Sequence, residues 1–245
     1  MSMMVQSGRF GGGGGGGPTD PNFASVVLLS GFEGADASTV MDDESNSNHT
    51  LTAVGNAQID TSQFKFGASS LLLDGSGDRV TAPSHANFQF GSGQFTIEAF
   101  VRFNTLTADN RGICGGSTGA NPVWTLTAGA TGAVVFAYST DSFSYDVVVA
   151  SASGVVTTGT WYHLAADRDA TGKIRIYVDG VMVANATPAN PAITPIATPL
   201  TIGAQTNNGV VDMDGWIDEF RITKGVARYA SDGGFTVPTA AFPRS

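Results

Sequence analysis

Short segments with a two-residue period most strongly limit how this chain can fold. Residues 95–103 (FTIEAFVRF) alternate between two faces, with Phe95, Ile97, Ala99, Val101 and Phe103 on the apolar one. Successive side chains of a β-strand point to opposite sides of a sheet, so this pattern predicts a strand. Similar segments are separated by turn residues such as Asp179-Gly180, and the chain contains 32 glycines. The sequence therefore predicts an all-β domain of about 12–14 short strands.

Residues 1–24 differ from the rest and are predicted to form a separate N-terminal arm, followed by one domain over residues 25–245. Seven consecutive glycines (11–17) carry no side chains to pack and favour a flexible linker. The alternative is an anchor that is ordered only in a larger assembly. The apolar side chains that would dock such an anchor are Met3, Met4, Val5 and Phe10.

Charge and cysteine content exclude several classes of function. The net charge of −9 argues against binding to nucleic-acid backbones or to anionic lipid, which requires clustered Lys and Arg. The single cysteine, Cys114, cannot form an intramolecular disulfide or a cysteine-based zinc site, and its apolar surroundings favour a small buried side chain. The first residues lack the apolar core of a signal peptide, so we expect synthesis in a cytoplasm, with either retention there or release by lysis or as part of a particle.

Several motifs in order resemble one family of domains. They are FGASSLLLDG (66–75), FTIEAFVRF (95–103), WYHLAADRD (161–169), IRIYVDG (174–180) and GWIDEFRITKGVARY (215–229). Together they resemble the laminin-G-like, concanavalin A-like jelly rolls, above all those of phage virion proteins. The resemblance implies a two-sheet antiparallel jelly-roll sandwich preceded by an extended N-terminal arm.

The same resemblance implies a function. It indicates a phage virion structural protein, either a capsid decoration or a tail-appendage module, that reaches the outside as part of the particle. Residues 1–24 would bind other virion proteins, a homo-oligomer is expected, and the jelly roll would face cell-surface glycans. The alternatives are a free carbohydrate-binding lectin-like module without an assembly role and, third, an endo-glucanase.

The glucanase alternative requires a pair of carboxylates. The related glucanases place them on one strand face in an E-x-D-x-E pattern, whereas the corresponding strand here offers Glu98 alone. Asp218 and Glu219 are neighbours in a strand and should point to opposite faces. His163 lies in a strand pattern without a partner that suggests a triad. We therefore predict that the protein is not an enzyme.

An oxygen-rich loop from Asp42 to Asn48 is a candidate calcium site. Carboxylate and amide oxygens are the ligands that calcium prefers. The resemblance implies one structural calcium ion near such a loop, with Asp43, Asn46, Asn48 and Asp218 as ligands and Glu33 as an outer one. The alternative is a solvated turn in which Asp and Asn accept hydrogen bonds from the backbone.

Glycan recognition, which the lectin-like resemblance implies, requires aromatic platforms beside polar groups. The candidates on predicted loops or strand ends are Trp124, Tyr138, Asp141, Tyr145, Asn207 and Asn208. For Trp124 and Tyr145, packing is the favoured interpretation and sugar contact the alternative. Trp161 and Trp216 fall inside strand patterns and are predicted to lie in the core.

Overall fold

The structure is a computed structural model that describes residues 19–106, 111–117, 122–190, 192–195, 197–206 and 212–245. The predicted anchor residues Met3, Met4, Val5 and Phe10 lie outside these ranges, and so do the predicted glycan ligands Asn207 and Asn208.

Two antiparallel sheets form the domain, which confirms the predicted all-β jelly-roll sandwich. The strands are β1 Val26–Ser30, β2 Thr52–Val54, β3 Gln58–Asp60, β4 Ser70–Asp74, β5 Arg79–Ala82, β6 Phe95–Phe103, β7 Arg111–Gly115, β8 Trp124–Ala128, β9 Val134–Tyr138, β10 Val147–Ala150, β11 Trp161–Arg168, β12 Ile174–Val178, β13 Val181–Ala186, β14 Leu200–Ile202 and β15 Asp214–Lys224. The eight-stranded sheet A has the order β13-β12-β11-β6-β15-β4-β3, with β1 also paired to β15. The seven-stranded sheet B has the order β10-β9-β8-β7-β14-β5-β2.

The main core lies between the two sheets. The predicted apolar face of β6 contributes Phe95, Ile97 and Val101 to it, and Trp124 and Phe136 face them from sheet B. Burial of this apolar surface is the main favourable contribution to folding. Cys114 belongs to the same core as a free, fully buried thiol. Burial raises the pKa of this thiol, as expected for a small buried side chain that is not a nucleophile.

Strand β6 occupies the middle of sheet A, between β11 and β15. Its register with β11 aligns Phe100 with His163 and Glu98 with Ala165. Its register with β15 aligns Glu98 with Arg221, but a β-bulge interrupts this pairing between Asp218 and Arg221. These three strands therefore place the polar side chains of the outer face of sheet A next to one another.

Backbone crosses the outer face of sheet B at two glycines of the RGICGGS segment. A Cβ atom on Gly112 would lie 2.1 Å from the backbone nitrogen of Gln205, and one on Gly115 would lie 2.5 Å from its carbonyl oxygen. Real Cβ atoms do not approach backbone so closely, and glycine is the residue that permits this contact. The segment around Gln205 is thereby held against β7.

Helical structure in the described ranges is limited to two 3-10 turns, Phe23–Ser25 and Ala86–Phe88. None of the helices in these ranges has the length and apolar character needed to cross a membrane.

Candidate functional site

Both chain ends that the structure describes cover the outer face of sheet A. We call residues 225–245 the C-terminal strap. Phe242 of the strap packs with Val26, Leu29 and Phe100 in a second apolar cluster on this face. The backbone N–H of Asp20 donates to the carbonyl of Ser245 at 2.8 Å, so the end of the predicted arm joins the strap. Strand β6 is therefore buried on both faces along most of its length.

Glu98, the single strand carboxylate that the sequence offers for catalysis, lies beneath the strap with no exposed surface. Its Oε1 accepts a hydrogen bond from Arg221 at 2.9 Å. Its Oε2 lies 3.1 Å from Nε2 of His163 and accepts a hydrogen bond from the hydroxyl of Tyr229. Both carboxylate oxygens are thus bound by groups of the protein itself.

A second ion-paired carboxylate extends this network. Asp20 accepts hydrogen bonds from Arg228 at 2.6 and 3.0 Å and from Arg221 at 3.3 Å.

Burial alone would raise the pKa of Glu98, but the charge of Arg221 and hydrogen bonds from His163 and Tyr229 lower it to about 2. Glu98 therefore stays ionised at neutral pH, where a general acid would need to be protonated.

Asp218 and Glu219 do not point to opposite faces, and this corrects the sequence-based expectation. Glu219 has a φ of 51°, in the left-handed region, at the β-bulge of β15. Its carboxylate binds Arg244 and the backbone N–H of Phe242 in the strap. Asp218 accepts hydrogen bonds from the backbone of Lys65 and Phe66, and the ring of Phe66 packs on Phe100. Both carboxylates therefore contact segments that cover the same outer face, because the bulge breaks the two-residue alternation.

Asp218 is fully buried and forms no ion pair with the residues that the structure describes. Its Oδ2 accepts hydrogen bonds from Lys65 N at 2.7 Å and Phe66 N at 3.0 Å, and its Oδ1 has no hydrogen-bond partner in the described part of the chain. Burial raises the pKa of Asp218 to about 7; these two N–H groups oppose the rise, and the charges of Glu219 and Glu33 add to it. This carboxyl group is therefore partly protonated at neutral pH.

The predicted calcium loop is organised around Asp43. This buried carboxylate accepts backbone hydrogen bonds from Leu29 at 3.0 Å, Ser45 at 3.0 Å and His49 at 2.8 Å. Asp218 binds the backbone of a different segment, and Asn46 and Asn48 are exposed. Over the residues that the structure describes, no three His, Cys, Asp or Glu side chains are grouped so that they could hold a metal ion. The turn-forming role of Asp43 is thus present in the structure, and calcium binding remains a prediction.

A small pocket beside this loop is lined by acidic groups. Ser30, Phe32, Glu33, Asp42 and Glu44 line it. The Ser30 hydroxyl is buried and has no hydrogen-bond partner in the described ranges, whereas Glu44 is paired with Arg244 at 2.9 Å. The pocket is therefore acidic, but its three carboxylates are not grouped closely enough to hold a metal ion, and only Glu33 belongs to the predicted ligand set.

Two of the predicted glycan ligands belong to the core, which corrects the prediction for them. Trp124 and Tyr138 have no exposed surface. The indole N–H of Trp124 donates to the carbonyl of Phe88 at 3.2 Å, and the hydroxyl of Tyr138 donates to the carbonyl of Asn190 at 2.8 Å. Buried Trp and Tyr satisfy their polar atoms in this way, so neither ring can serve as a platform for a sugar.

The other two predicted ligands within the described ranges, Asp141 and Tyr145, lie in the loop between β9 and β10. Asp141 is exposed, and its Oδ1 accepts hydrogen bonds from Phe143 N at 2.8 Å and the Ser139 hydroxyl at 3.1 Å. Tyr145 is half-buried, and its hydroxyl lies 2.8 Å from the hydroxyl of Ser117. Phe143 is 87% exposed. This loop combines aromatic rings with carboxylate and hydroxyl groups, the combination that glycan recognition requires.

Trp161 and Trp216 are not core residues, contrary to the sequence-based expectation. Both are half-buried and lie on the outer face of sheet A, where each is the register partner of Arg102. Trp161 and Trp216 each lie in a strand that is buried on both faces along most of its length. The C-terminal strap leaves the end of the outer face that carries the two tryptophans partly open, and the alternation of residues in the sequence does not show where the strap ends.

Comparison with protein families identifies the fold group. Residues 74–229 match the family described as Concanavalin A-like lectin/glucanases superfamily. The chain belongs to this superfamily. The resemblance deduced from the sequence motifs is therefore confirmed at the level of the superfamily. A comparison with curated proteins found no relative of this superfamily member.

Solved structures of binding domains share the fold of this superfamily member. The binding domain of Paraclostridial Mosquitocidal Protein 1 aligns with a TM-score of 0.67 and 12% identity over 84% of this chain and 50% of that one. The binding domain of Botulinum Neurotoxin DC in complex with SialylT aligns with a TM-score of 0.61 and 18% identity, over 84% of this chain and 49% of that one. Domain 4 of a GH43 extracellular arabinanase from Geobacillus stearothermophilus, in complex with arabinotriose, aligns with a TM-score of 0.58 and 18% identity. The alignment covers 82% of this chain and 93% of that one. The chain spans about half the length of the first of these proteins.

The buried carboxyl of Asp218 predicts a specific dependence of stability on pH. Between its ordinary pKa of 3.8 and the folded value of about 7, the native state holds a proton that the unfolded state has released. The stabilisation from this proton is complete below pH 4 and is lost as pH rises through 7. Asp218→Asn should therefore raise the free energy of unfolding at pH 8 by roughly 1–4 kcal/mol relative to the unsubstituted protein, and by less at pH 4.5. Urea denaturation at both pH values measures this difference, and an equal effect at the two would contradict the assignment.

Calcium binding predicts a cation-dependent melting temperature. A metal bound only by the native state stabilises it by mass action, so calcium should raise the Tm by roughly 2–8 °C over a chelator control. Asn48→Gly should remove this increase while keeping the Tm in chelator, because glycine tolerates the φ of 47° at this position. Asp43→Ala is a poor test, since it removes the acceptor of three backbone N–H groups with or without metal. If scanning calorimetry gives one Tm in calcium and in chelator, the loop is a polar turn.

Proposed function

We propose that this chain is a non-catalytic, carbohydrate-binding virion protein of a phage. In this proposal residues 1–24 anchor it to other virion proteins, as a capsid decoration or a tail appendage. The jelly roll then faces outward and binds glycans of the host surface. A homo-oligomer fits such a display role, because several weak glycan sites acting together give high avidity.

The state of Glu98 is the observation that carries the non-catalytic part of the proposal. The superfamily name covers both lectins and glucanases. Retaining glycosidases need two carboxylates about 5 Å apart in a cleft that admits the sugar. Here Glu98 is fully buried, bound by Arg221, and covered by the C-terminal strap. A sugar could reach it only if the strap detached.

Two observations support carbohydrate binding. Structures of the same fold were solved with bound SialylT and arabinotriose, which shows that saccharides and this architecture occur together. In this chain, the loop that contains Asp141, Phe143 and Tyr145 presents aromatic and polar groups at the surface. Function depends on such sites more than on the fold, so the loop is the part of this proposal that must be tested.

The virion part of the proposal rests on the sequence of the arm and on the motif resemblance. Five apolar side chains, Met1 among them, precede the seven glycines, and ordering such a segment costs about 1–2 kcal/mol per residue in backbone entropy. Burial of Met3, Met4, Val5 and Phe10 against a partner would offset this cost. A free lectin-like module without an assembly role is the second candidate, and it needs no partner for the arm.

Binding without turnover is the expected outcome of a direct assay. The protein should bind a host-surface polysaccharide in a pull-down and release no reducing ends from it. Tyr145→Ala should weaken binding roughly two- to tenfold if the ring contacts sugar, taking the value of an aromatic contact as about 0.5–1.5 kcal/mol. Val148→Ala, at an exposed position of neighbouring β10, is the control. Release of reducing ends that disappears in Glu98→Gln would instead identify an enzyme.

Deletion of residues 1–18 separates the two display hypotheses. This deletion keeps Asp20, whose ion pairs with Arg221 and Arg228 belong to the jelly roll. We expect the shortened protein to keep its Tm and glycan affinity but to be missing from purified particles. Incorporation equal to that of the full chain would reduce the arm to a linker and favour the free lectin.

A further inference from the structure

A row of half-buried side chains crosses the open end of the outer face of sheet A. We call it the outer row. Cross-strand register places one residue from each of five adjacent strands in it, namely Gln58, Leu72, Trp216, Arg102 and Trp161. All five are of intermediate exposure, whereas Asp218, Phe100 and His163 of the next row are fully buried. The outer row is therefore the part of this face that a ligand can reach.

Arg102 lies at the centre of the outer row with its guanidinium held by stacking. The guanidinium carbon is 5.0 Å from the ring centroid of Trp216, a cation–π contact. The indole N–H of Trp216 donates to Oδ2 of Asp60 at 2.6 Å, which fixes the ring. Asp60 is itself held by Ser62. The orientation of the arginine is thus set by the protein before any ligand arrives.

Arg102 has neither a hydrogen bond nor an ion pair with another residue of the described ranges. The other arginines there bind carboxylates or backbone carbonyls, as Arg175 binds Asp169 and Asp232 and as Arg111 binds the carbonyl of Asp212. In a chain with 21 acidic and 12 basic residues, an arginine without a carboxylate is unusual. Its five N–H donors remain available, and they match a carboxylate in a bidentate geometry.

Trp161 flanks Arg102 on the side opposite Trp216. The two tryptophans are on strands separated by β6, so their backbones are two strand spacings apart, about 10 Å. Arg102 occupies the register position between the two tryptophans. Exposed Thr160 and the open surface next to Gly159 border the same position. The outer row thus combines a cation with two aromatic side chains, and Thr160 adds a hydroxyl at its border.

We propose that the outer row is a binding site for a carboxylated pyranose, such as a uronic or sialic acid residue of a surface glycan. The carboxylate pairs with Arg102, and the apolar face of the sugar ring packs on Trp161. Trp216 acts as a positioning residue that holds the guanidinium. This inference rests on the proposed carbohydrate-binding function and names the class of sugar. It places that sugar on sheet A, away from the β9–β10 loop on sheet B.

Matched acidic and neutral saccharides test the inference. Sialyllactose is compared with lactose, and oligogalacturonate with its methyl ester, by calorimetric titration of the full chain. We expect at least one acidic probe to bind roughly tenfold or more tightly than its neutral counterpart, as for charge-assisted hydrogen bonds, and to weaken with salt. The two pairs also distinguish a sialic acid from a uronic acid ligand.

Variants then assign the site. Arg102→Gln should remove the preference for the acidic probe and leave the affinity for its neutral counterpart unchanged. Arg102→Lys should keep only part of the preference, because lysine lacks the planar, bidentate guanidinium group. Arg79→Gln, at another half-buried arginine, makes the same change in net charge in sheet B and should have no effect. The indole N–H resonances add a structural readout from the three tryptophans. Those of Trp161 and Trp216 should shift on binding, and that of buried Trp124 should not.

The outcomes separate this inference from the proposed function. Acidic selectivity that persists in Arg102→Gln overturns the inference. Binding of neutral glycans without any acidic preference also overturns it, while the proposed carbohydrate-binding function stands. Failure to bind any glycan in a broad panel contradicts the proposed function itself, and the inference falls with it.

Discussion

The ion pair between Glu98 and Arg221 is the interaction on which the outer half of this structure depends. It neutralises a carboxylate in the middle of sheet A, so that aromatic and aliphatic groups of the C-terminal strap can pack over it. Tyr229 and Asp20 join the pair from the two covering segments. Such a network adds little net stability compared with an apolar core, but loss of one partner leaves a buried charge and costs about 3–5 kcal/mol. The network therefore specifies where the strap lies.

Covering both faces of sheet A also determines where ligands can bind. In an antiparallel sandwich with one open sheet face, the centre of that face is available to a substrate. Here the centre is filled by Phe100, His163 and Phe242, and the ring of Phe100 lies 4.8 Å from that of His163. The surfaces that remain are the outer row at one end and the loops of sheet B. The protein thus keeps the superfamily fold while its central face is used for packing.

Buried carboxylates of similar depth behave in opposite ways in this protein. Glu98 has Arg221 beside it, and its pKa falls to about 2. Asp218 has two backbone N–H groups and two acidic neighbours, and its pKa rises to about 7. The free energy of burying a charge is large, so a group without a cation shifts toward its neutral form. The two carboxylates on this face therefore titrate in separate pH ranges, and only the range of Asp218 includes neutral pH.

The sequence by itself determined the strands, the turns and the superfamily, because alternation and turn residues act over a few neighbouring positions. It also determined that Cys114 is buried and that β6 carries a lone carboxylate. It could not determine which tryptophans are exposed, since Trp124 and Trp216 both lie in strand patterns and differ only in what covers them. The β-bulge at Glu219 and the strap over Glu98 were likewise decided by tertiary structure. Their partners are more than 20 residues away in the chain, and contacts at such distances leave no periodic signal in the sequence.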